Sequence, residues 1–285
     1  MPIQLIADSG ATKCEWCLVD NEIDKTVFTT GISPYFLAEK QIVELLRTNL
    51  LPELSDVSID ELHFYGTGLG NPKNVTTIVN SLKMVFPAVD IEANTDLLAA
   101  ARALCGNEKG IACILGTGSN SCYYDGKEVS KNIASLGYVL GDEGSGAHLG
   151  KKVIQYYLYN TFDEDLRSRF DAMFVTSYLE ILENVYQKPF PNRYLASFAA
   201  FLAENRGHYM IENILEDGLN DFFFNHLNKY GESWTSPINF VGSVAFGFKD
   251  VLQELCNSYQ LELGKVLKAP MEGLVKFHAN ATSLS

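Results

Sequence analysis

An α/β fold of two related domains facing each other across a cleft is predicted by three observations. Strand-like and helix-like segments alternate over residues 1–107. The pattern then restarts, with a strand, a turn of small residues and a second strand repeating the start of the chain. Finally, 285 residues at 47% hydrophobic content suffice for two cores.

The elements follow in order. Residues 3–7 and 15–19 read as strands joined by the turn Ser9-Gly10-Ala11, a hairpin rather than the strand-to-helix entry of a Walker loop. A third strand is expected at 26–29. Helical apolar spacing covers 37–50 and 73–86, with strands at 61–65 and 89–92, and the Leu- and Ala-rich stretch 96–104 closes the first domain near residue 107. The second domain, 108–285, opens with a buried-type strand at 111–115, the turn Gly116-Thr117-Gly118-Ser119, a strand at 120–124 and a hairpin signal at Asp125-Gly126. A mostly helical insertion covers 144–230. A strand at 238–241 precedes Gly242-Ser243 and a helix at 244–256, and the tail from Pro270 forms a last helix that is a candidate to pack back on the first domain.

The charge balance narrows the partners. A net charge of −13 and a pI near 4.8 leave no basic field for nucleic acid or an anionic membrane. A nucleotide would have to be held locally by backbone amides, a helix start and a divalent cation. Met1-Pro2 runs into a short apolar stretch at residues 3–7 without the basic start and longer apolar core of a signal peptide, and no apolar run approaches the roughly 18 residues of a membrane helix. Cytoplasmic residence is expected, with reduced thiols at Cys14, Cys17, Cys105, Cys113, Cys122 and Cys256. Cys14-Glu15-Trp16-Cys17 matches CxxC, but in a strand residues three apart point to opposite faces, so the sulfurs would not converge.

Five segments carry candidate chemistry. Asp8-Ser9-Gly10-Ala11-Thr12-Lys13 sets a carboxylate at a strand end, exposes backbone N–H groups at Gly10, and adds the Thr12 hydroxyl and the Lys13 ammonium. ATP with Mg2+ needs that set; taken alone, the segment also reads as an ordinary hairpin turn. Gly116, Thr117, Gly118, Ser119 and Asn120 repeat the arrangement, and two such turns heading two half-chains favour a shared phosphate function. Thr95-Asp96 closes a strand and opens a helix. Asp96 is there either a helix-capping acid or a carboxylate that takes the proton from an attacking hydroxyl. In Gly141-Asp142-Glu143-Gly144-Ser145-Gly146, adjacent carboxylates at a sharp bend suit paired contacts to a polyol, while capping of the next helix by Asp142 or Ser145 is the structural alternative. Gly242 and Ser243 would let a flat ring approach the start of a helix. The histidines at 63, 208, 226 and 278 lack ligand spacing and are read as core or surface residues, with His148 a candidate to line the cleft.

In this order, the motifs DSGATK, TD at Thr95-Asp96, GTGSN, GDEGSG, VGSVAF and PMEGLVKFH resemble those of the BadF/BadG/BcrA/BcrD-type ATPase family, and within it the N-acetylglucosamine kinases. The resemblance covers essentially the whole chain. It implies two ribonuclease-H-like domains of the actin-like ATPase class and transfer of the ATP γ-phosphate to a hydroxyl, O6, of an amino sugar. It also implies roles. Asp96 would be the base, Asp8 would position Mg2+, Thr12 and the 116–119 turn would hold phosphates, Asp142 and Glu143 would bind sugar hydroxyls, and Gly242 and Ser243 would border adenosine. Where related kinases carry an Asn in a GxN segment, this chain offers Ser33. Thr95 and Asn120 complete the expected sugar contacts. The expected partners are an amino sugar and ATP, with a homodimer as the one assembly entertained. The alternative is an ATPase that drives a partner enzyme, but no cysteine here matches the cluster ligands of the family's iron–sulfur activators.

Overall fold

A computed structural model describes residues 2–10, 12–20, 22–54 and 57–282, so Ala11 of the first turn lies outside the described residues. The chain divides into unit 1, residues 1–107 with 269–285, and unit 2, residues 108–268.

Unit 1 begins with strands β1 (Gln4–Ser9), β2 (Lys13–Asp20) and β3 (Glu22–Thr30), then helix α1 (Glu39–Leu45), which continues through a wider turn at Leu46–Leu50. Strand β4 (Glu61–Gly66), helix α2 (Pro72–Lys83), strand β5 (Asp90–Thr95) and helix α3 (Asp96–Cys105) complete its sheet. The strand order is β3-β2-β1-β4-β5, antiparallel from β3 to β1 and parallel from β1 to β5.

Both faces of this sheet are covered, so its inner strands are apolar on both sides. Leu5 and Ala7 pack on one face with Ile42 of α1 and Ile78 and Leu82 of α2. Ile6, between them, packs on the other face with Ala99 and Ala103 of α3. That second face also buries Met271 and Leu274 of the last helix of the chain, so the tail completes the core of unit 1.

Unit 2 repeats the plan. Strands β6 (Gly110–Leu115), β7 (Ser119–Tyr124) and β8 (Val129–Ile133) form its antiparallel half. Helices α4 (Gly137–Leu140), α5 (Gly146–Leu158), α6 (Glu164–Met173), α7 (Tyr178–Tyr186), α8 (Pro191–Ser197), α9 (Ala199–Glu204) and α10 (Tyr209–Asn225) follow. Then come β9 (Ile238–Val241), α11 (Ser243–Gly247), α12 (Lys249–Ser258) and β10 (Leu263–Leu267), before α13 (Met271–Thr282) returns to unit 1. The order β10-β9-β6-β7-β8, read in reverse, has the same connectivity and strand directions as unit 1.

The elements differ from expectation in places. The expected helix at 244–256 is broken at Phe248, whose φ of −121° and ψ of 35° lie outside the helical range although its side chain is buried. Strands β8 and β10 carried no expectation. Among the described residues no helix is long and apolar enough to cross a membrane.

Candidate active site

The parallel strands of unit 1 end level. Ser9 stands opposite Gly66, and Gly66 opposite Thr95. Asp8, Thr67 and Asp96 therefore share the carboxyl-terminal edge of the sheet, the edge at which open α/β sheets hold ligands.

Asp96 opens α3. The Leu97 N–H donates to its Oδ1 at 2.9 Å, and the Thr67 hydroxyl donates to the same carboxylate. The helix cap is Thr95, whose hydroxyl accepts the Leu98 N–H at 3.1 Å, so capping does not account for Asp96. Burial raises the Asp96 pKa above its ordinary 3.8. Burial, followed by the charges of Asp96 and Glu15, also lifts Asp8, to about 7, with Lys13 acting in the opposite direction.

Carboxylates lacking enough positive charge suit a hard cation. Among the described residues no group of three or more His, Cys, Asp or Glu side chains forms a metal cage. Mg2+, which keeps several waters and takes one or two carboxylates beside phosphate oxygens, fits Asp8 on those terms.

Around these carboxylates the loops are tied together. The Gly10 N–H donates to the Lys13 carbonyl and the Gly31 N–H to the Thr12 carbonyl, both at 3.0 Å. The Ser9 hydroxyl accepts the Ile32 N–H at 2.8 Å and donates to the Ile32 carbonyl at 3.0 Å. Ser33, the next residue, is 2% exposed, and its hydroxyl has no hydrogen-bond partner. Lys13 is exposed, with its ammonium 4.0 Å above the Phe28 ring and 3.9 Å from Glu15.

In unit 2 the turn at 116–119 is held from three sides. The N–H groups of Gly146 and Ala147, at the start of α5, donate to the carbonyls of Gly116 and Thr117 at 2.8 and 3.1 Å. Asp142 Oδ1 accepts the Ser135 hydroxyl at 3.1 Å and faces the Ser119 N–H at 3.4 Å. A Cβ on Gly118 would lie 3.0 Å from Asp142 Oδ2, so any side chain at residue 118 would press on the carboxylate. On the third side is Gly242, with a φ of 128°; a Cβ there would lie 2.2 Å from the Leu115 carbonyl oxygen. Ser243 is exposed at the start of α11.

The remaining sugar-side candidates also lie in unit 2. Asp142 takes a left-handed backbone, φ 55°, and burial raises its pKa. Glu143 Oε2 lies 3.3 Å from His226 Nε2. The Asn120 side-chain oxygen accepts the Ser121 N–H and the Asn132 amide, both at 2.9 Å. Ser119, like Ser33, has a buried hydroxyl without a partner. Ser145, not Asp142, caps α5 by accepting the His148 N–H at 3.2 Å.

Thr67 and Ser135 carried no expectation, and the sequence marks Ser9 only as a turn residue and His226 only as a core or surface histidine. Gly66-Thr67-Gly68 does repeat the Gly-Thr-Gly of 116–118, a signal that marks Thr67. His148, a candidate cleft residue from sequence, instead bonds Asp221 at 3.0 Å, and burial lowers its pKa. Cys14 packs in one core of unit 1 and Cys17 in the other, so the CxxC sulfurs stay apart. All six cysteines are buried, and none is in a disulfide.

No protein-family model matches the chain, and no curated protein matches it. Solved structures do. A candidate N-acetylglucosamine kinase from Porphyromonas gingivalis is 40% identical, over 98% of this chain and 100% of that one, with a TM-score of 0.95. The chain belongs to this N-acetylglucosamine kinase family. A candidate N-acetylglucosamine kinase from Chromobacterium violaceum has 16% identity over 97% of this chain and 99% of that one, with a TM-score of 0.74. A ROK family glucokinase from Streptomyces griseus, solved with glucose and AMPPNP, has 15% identity over 99% and 100%, with a TM-score of 0.60. At those identities the likeness shows the fold, that of the actin-like ATPases and sugar kinases.

Proposed function

We infer that the protein is an ATP-dependent kinase that phosphorylates a hydroxyl of an amino sugar, with O6 of N-acetylglucosamine as the acceptor. The observation that carries this reading is the 40% identity, end to end, with a candidate N-acetylglucosamine kinase. The Asp96 geometry adds support, because a carboxylate held by two hydrogen-bond donors at a strand end has the fixed aim a base needs.

On this reading the Asp96 carboxylate takes the proton of the attacking sugar hydroxyl. The hydroxyl oxygen bonds to the γ-phosphorus as the bond from that phosphorus to the leaving ADP oxygen breaks. Thr12 and Lys13 serve the phosphates from unit 1, where Gly10, its N–H already given to the Lys13 carbonyl, contributes the space left by its missing side chain. Gly116, Thr117, Gly118 and Ser119 serve them from unit 2, and Gly242 and Ser243 border the adenosine. Asp8 would hold Mg2+, which when bound offsets negative charge on the phosphates.

The sugar contacts proposed are Ser33, Thr95, Asn120, Asp142 and Glu143. A buried hydroxyl without a partner costs about 1–3 kcal/mol, and the two such hydroxyls on ligand loops, Ser33 and Ser119, would be satisfied by a bound sugar or phosphate. Cytoplasmic residence agrees with the dependence on ATP and with six cysteines outside any disulfide.

The test is ADP release with and without a panel of N-acetylglucosamine, glucosamine, N-acetylmuramic acid and glucose. The reading predicts sugar-dependent release with the highest kcat/KM for N-acetylglucosamine. Hydrolysis at the same rate with no sugar present would overturn it.

A further inference from the structure

Glu143 ends a chain of buried polar groups. The Ile133 N–H donates to the Tyr230 hydroxyl oxygen at 2.9 Å, and that hydroxyl lies 2.9 Å from Ser121 Oγ. Ser121 Oγ lies 3.2 Å from His226 Nδ1, and His226 Nε2 lies 3.3 Å from Glu143 Oε2. Ser121, Tyr230 and His226 are at most 3% exposed. The Phe222 ring stacks on the imidazole at a centroid distance of 4.7 Å and an interplanar angle of 18°, which fixes the ring plane.

The two ends set the direction of the chain. A backbone N–H only donates, and a carboxylate only accepts. In the neutral imidazole the single N–H must then sit on Nε2, facing Glu143, and Nδ1 must accept. The donor within reach of Nδ1 is the Ser121 hydroxyl. The Tyr230 hydroxyl lies 2.9 Å from both the Oγ and the carbonyl oxygen of Ser121; its single proton, directed to Oγ, leaves the Ser121 proton for Nδ1. One carboxylate oxygen of Glu143 is thereby pinned, while Oε1 makes no hydrogen bond to another described residue. A network that served the core alone would have no reason to end on a carboxylate whose side chain is 20% exposed.

We propose that His226 is a positioning residue that aims Glu143 at a sugar hydroxyl, held in its Nε2–H form by Ser121 and Tyr230. This rests on the amino-sugar kinase reading for what Glu143 binds; the tautomer itself does not. Sequence could not show it, because Glu143 and His226 are 83 residues apart.

Two measurements test it. The first is the 15N spectrum of the histidine side chains in the ligand-free protein, with His226 identified by the resonance lost in His226→Gln. The Nε2–H form is expected in the wild type, with that preference lost in Ser121→Ala; an Nδ1–H ring would overturn the proposal. The second is steady-state kinetics. His226→Ala should raise the sugar KM roughly tenfold or more while the ATP KM stays within about twofold, as for lost outer hydrogen-bond partners of ligating side chains. His226→Gln, whose amide can donate to Glu143, should recover most of that loss, and Ser121→Ala, a smaller change to the core, should shift the sugar KM the same way. An unchanged sugar KM in Ser121→Ala and His226→Gln, or a Gln variant no better than Ala, would refute the positioning role. If the wild type shows no sugar-dependent turnover, the kinase reading fails, and the spectrum still decides the tautomer.

Discussion

Substitution of His278 by Gln should change how the stability of unit 1 depends on pH. His278 is 5% exposed, with Nε2 2.9 Å from the Tyr65 hydroxyl and its ring stacked on His63 at a centroid distance of 3.8 Å. Burial first, then the charges of His63 and Arg102, lower its pKa from 6.5 to about 3, against a smaller opposing effect from Glu92. The unfolded chain therefore takes up a proton as pH falls through 6.5, while the folded chain does not until about pH 3. The stability of the neutral buried ring is fully present above that upper value and is lost on the way down. Integrated over the shift, the loss is about 2 kcal/mol between pH 7 and 5 and about 3 kcal/mol by pH 4.

Asp8 acts in the opposite sense. Its pKa is raised from 3.8 to about 7, so the folded state takes up that proton first and gains stability as pH falls through the same window. Glu92, lowered from 4.5 to about 2, weakens the fold only below the start of its own window. The wild-type curve sums these effects, and the difference between wild type and His278→Gln isolates the histidine. The assay is urea unfolding at pH 7, 6 and 5, read from Trp16, which is fully buried in unit 1, with Trp234→Phe in both backgrounds. Relative to wild type, the variant should gain about 2 kcal/mol between pH 7 and pH 5. A difference that stays constant across that range would refute the reasoning.

Three further predictions concern the candidate site. Asp96→Asn should lower kcat roughly 100-fold or more and leave ADP affinity by calorimetry nearly unchanged. In the wild type the acid limb of kcat/KM should lie above 3.8, because burial raises that carboxyl; near-normal turnover in the variant would remove Asp96 from the role of base. Ser9→Ala strips the buried Ile32 N–H of its acceptor, so urea unfolding should show a loss of about 1–3 kcal/mol. The sugar KM should also rise more than the ATP KM, since Ser33 follows Ile32 directly. Gly242→Ala forces a Cβ to within 2.2 Å of the Leu115 carbonyl oxygen at a φ of 128°, and should destabilise unit 2 by roughly 2–4 kcal/mol in thermal or urea melts.

The sequence carried those parts of the fold that are local and regular. The hairpin turns at 9–11 and 116–119 were legible because apolar runs flank residues too small to be anything but turns, and their repetition exposed the internal duplication. Strand β8 left no such trace. Its central residues, Ser130, Lys131 and Asn132, are exposed at a sheet edge, so no apolar pattern marks it. The β10 pattern is likewise interrupted, by Gly264 and Lys265. The break at Phe248 was hidden because the apolar spacing runs through it: Val244, Phe248, Val251 and Leu252 are all buried.

In the candidate site, motif residues were visible and the groups supporting them were not. Asp96 stands out at a strand-to-helix junction, whereas the Thr67 hydroxyl reaches it from the turn after β4. In the sequence Ser9 is only a small turn residue, yet its hydroxyl ties down Ile32, 23 residues away. His226 lacked ligand spacing because its partners are side chains on distant segments.

The most direct test of the amino-sugar kinase account is product analysis of one complete reaction of the wild-type protein with ATP and N-acetylglucosamine. The account predicts one sugar phosphate per ADP formed, with the phosphorus coupled to the C6 protons in the NMR spectrum. ADP released with free phosphate and no sugar phosphate would contradict it.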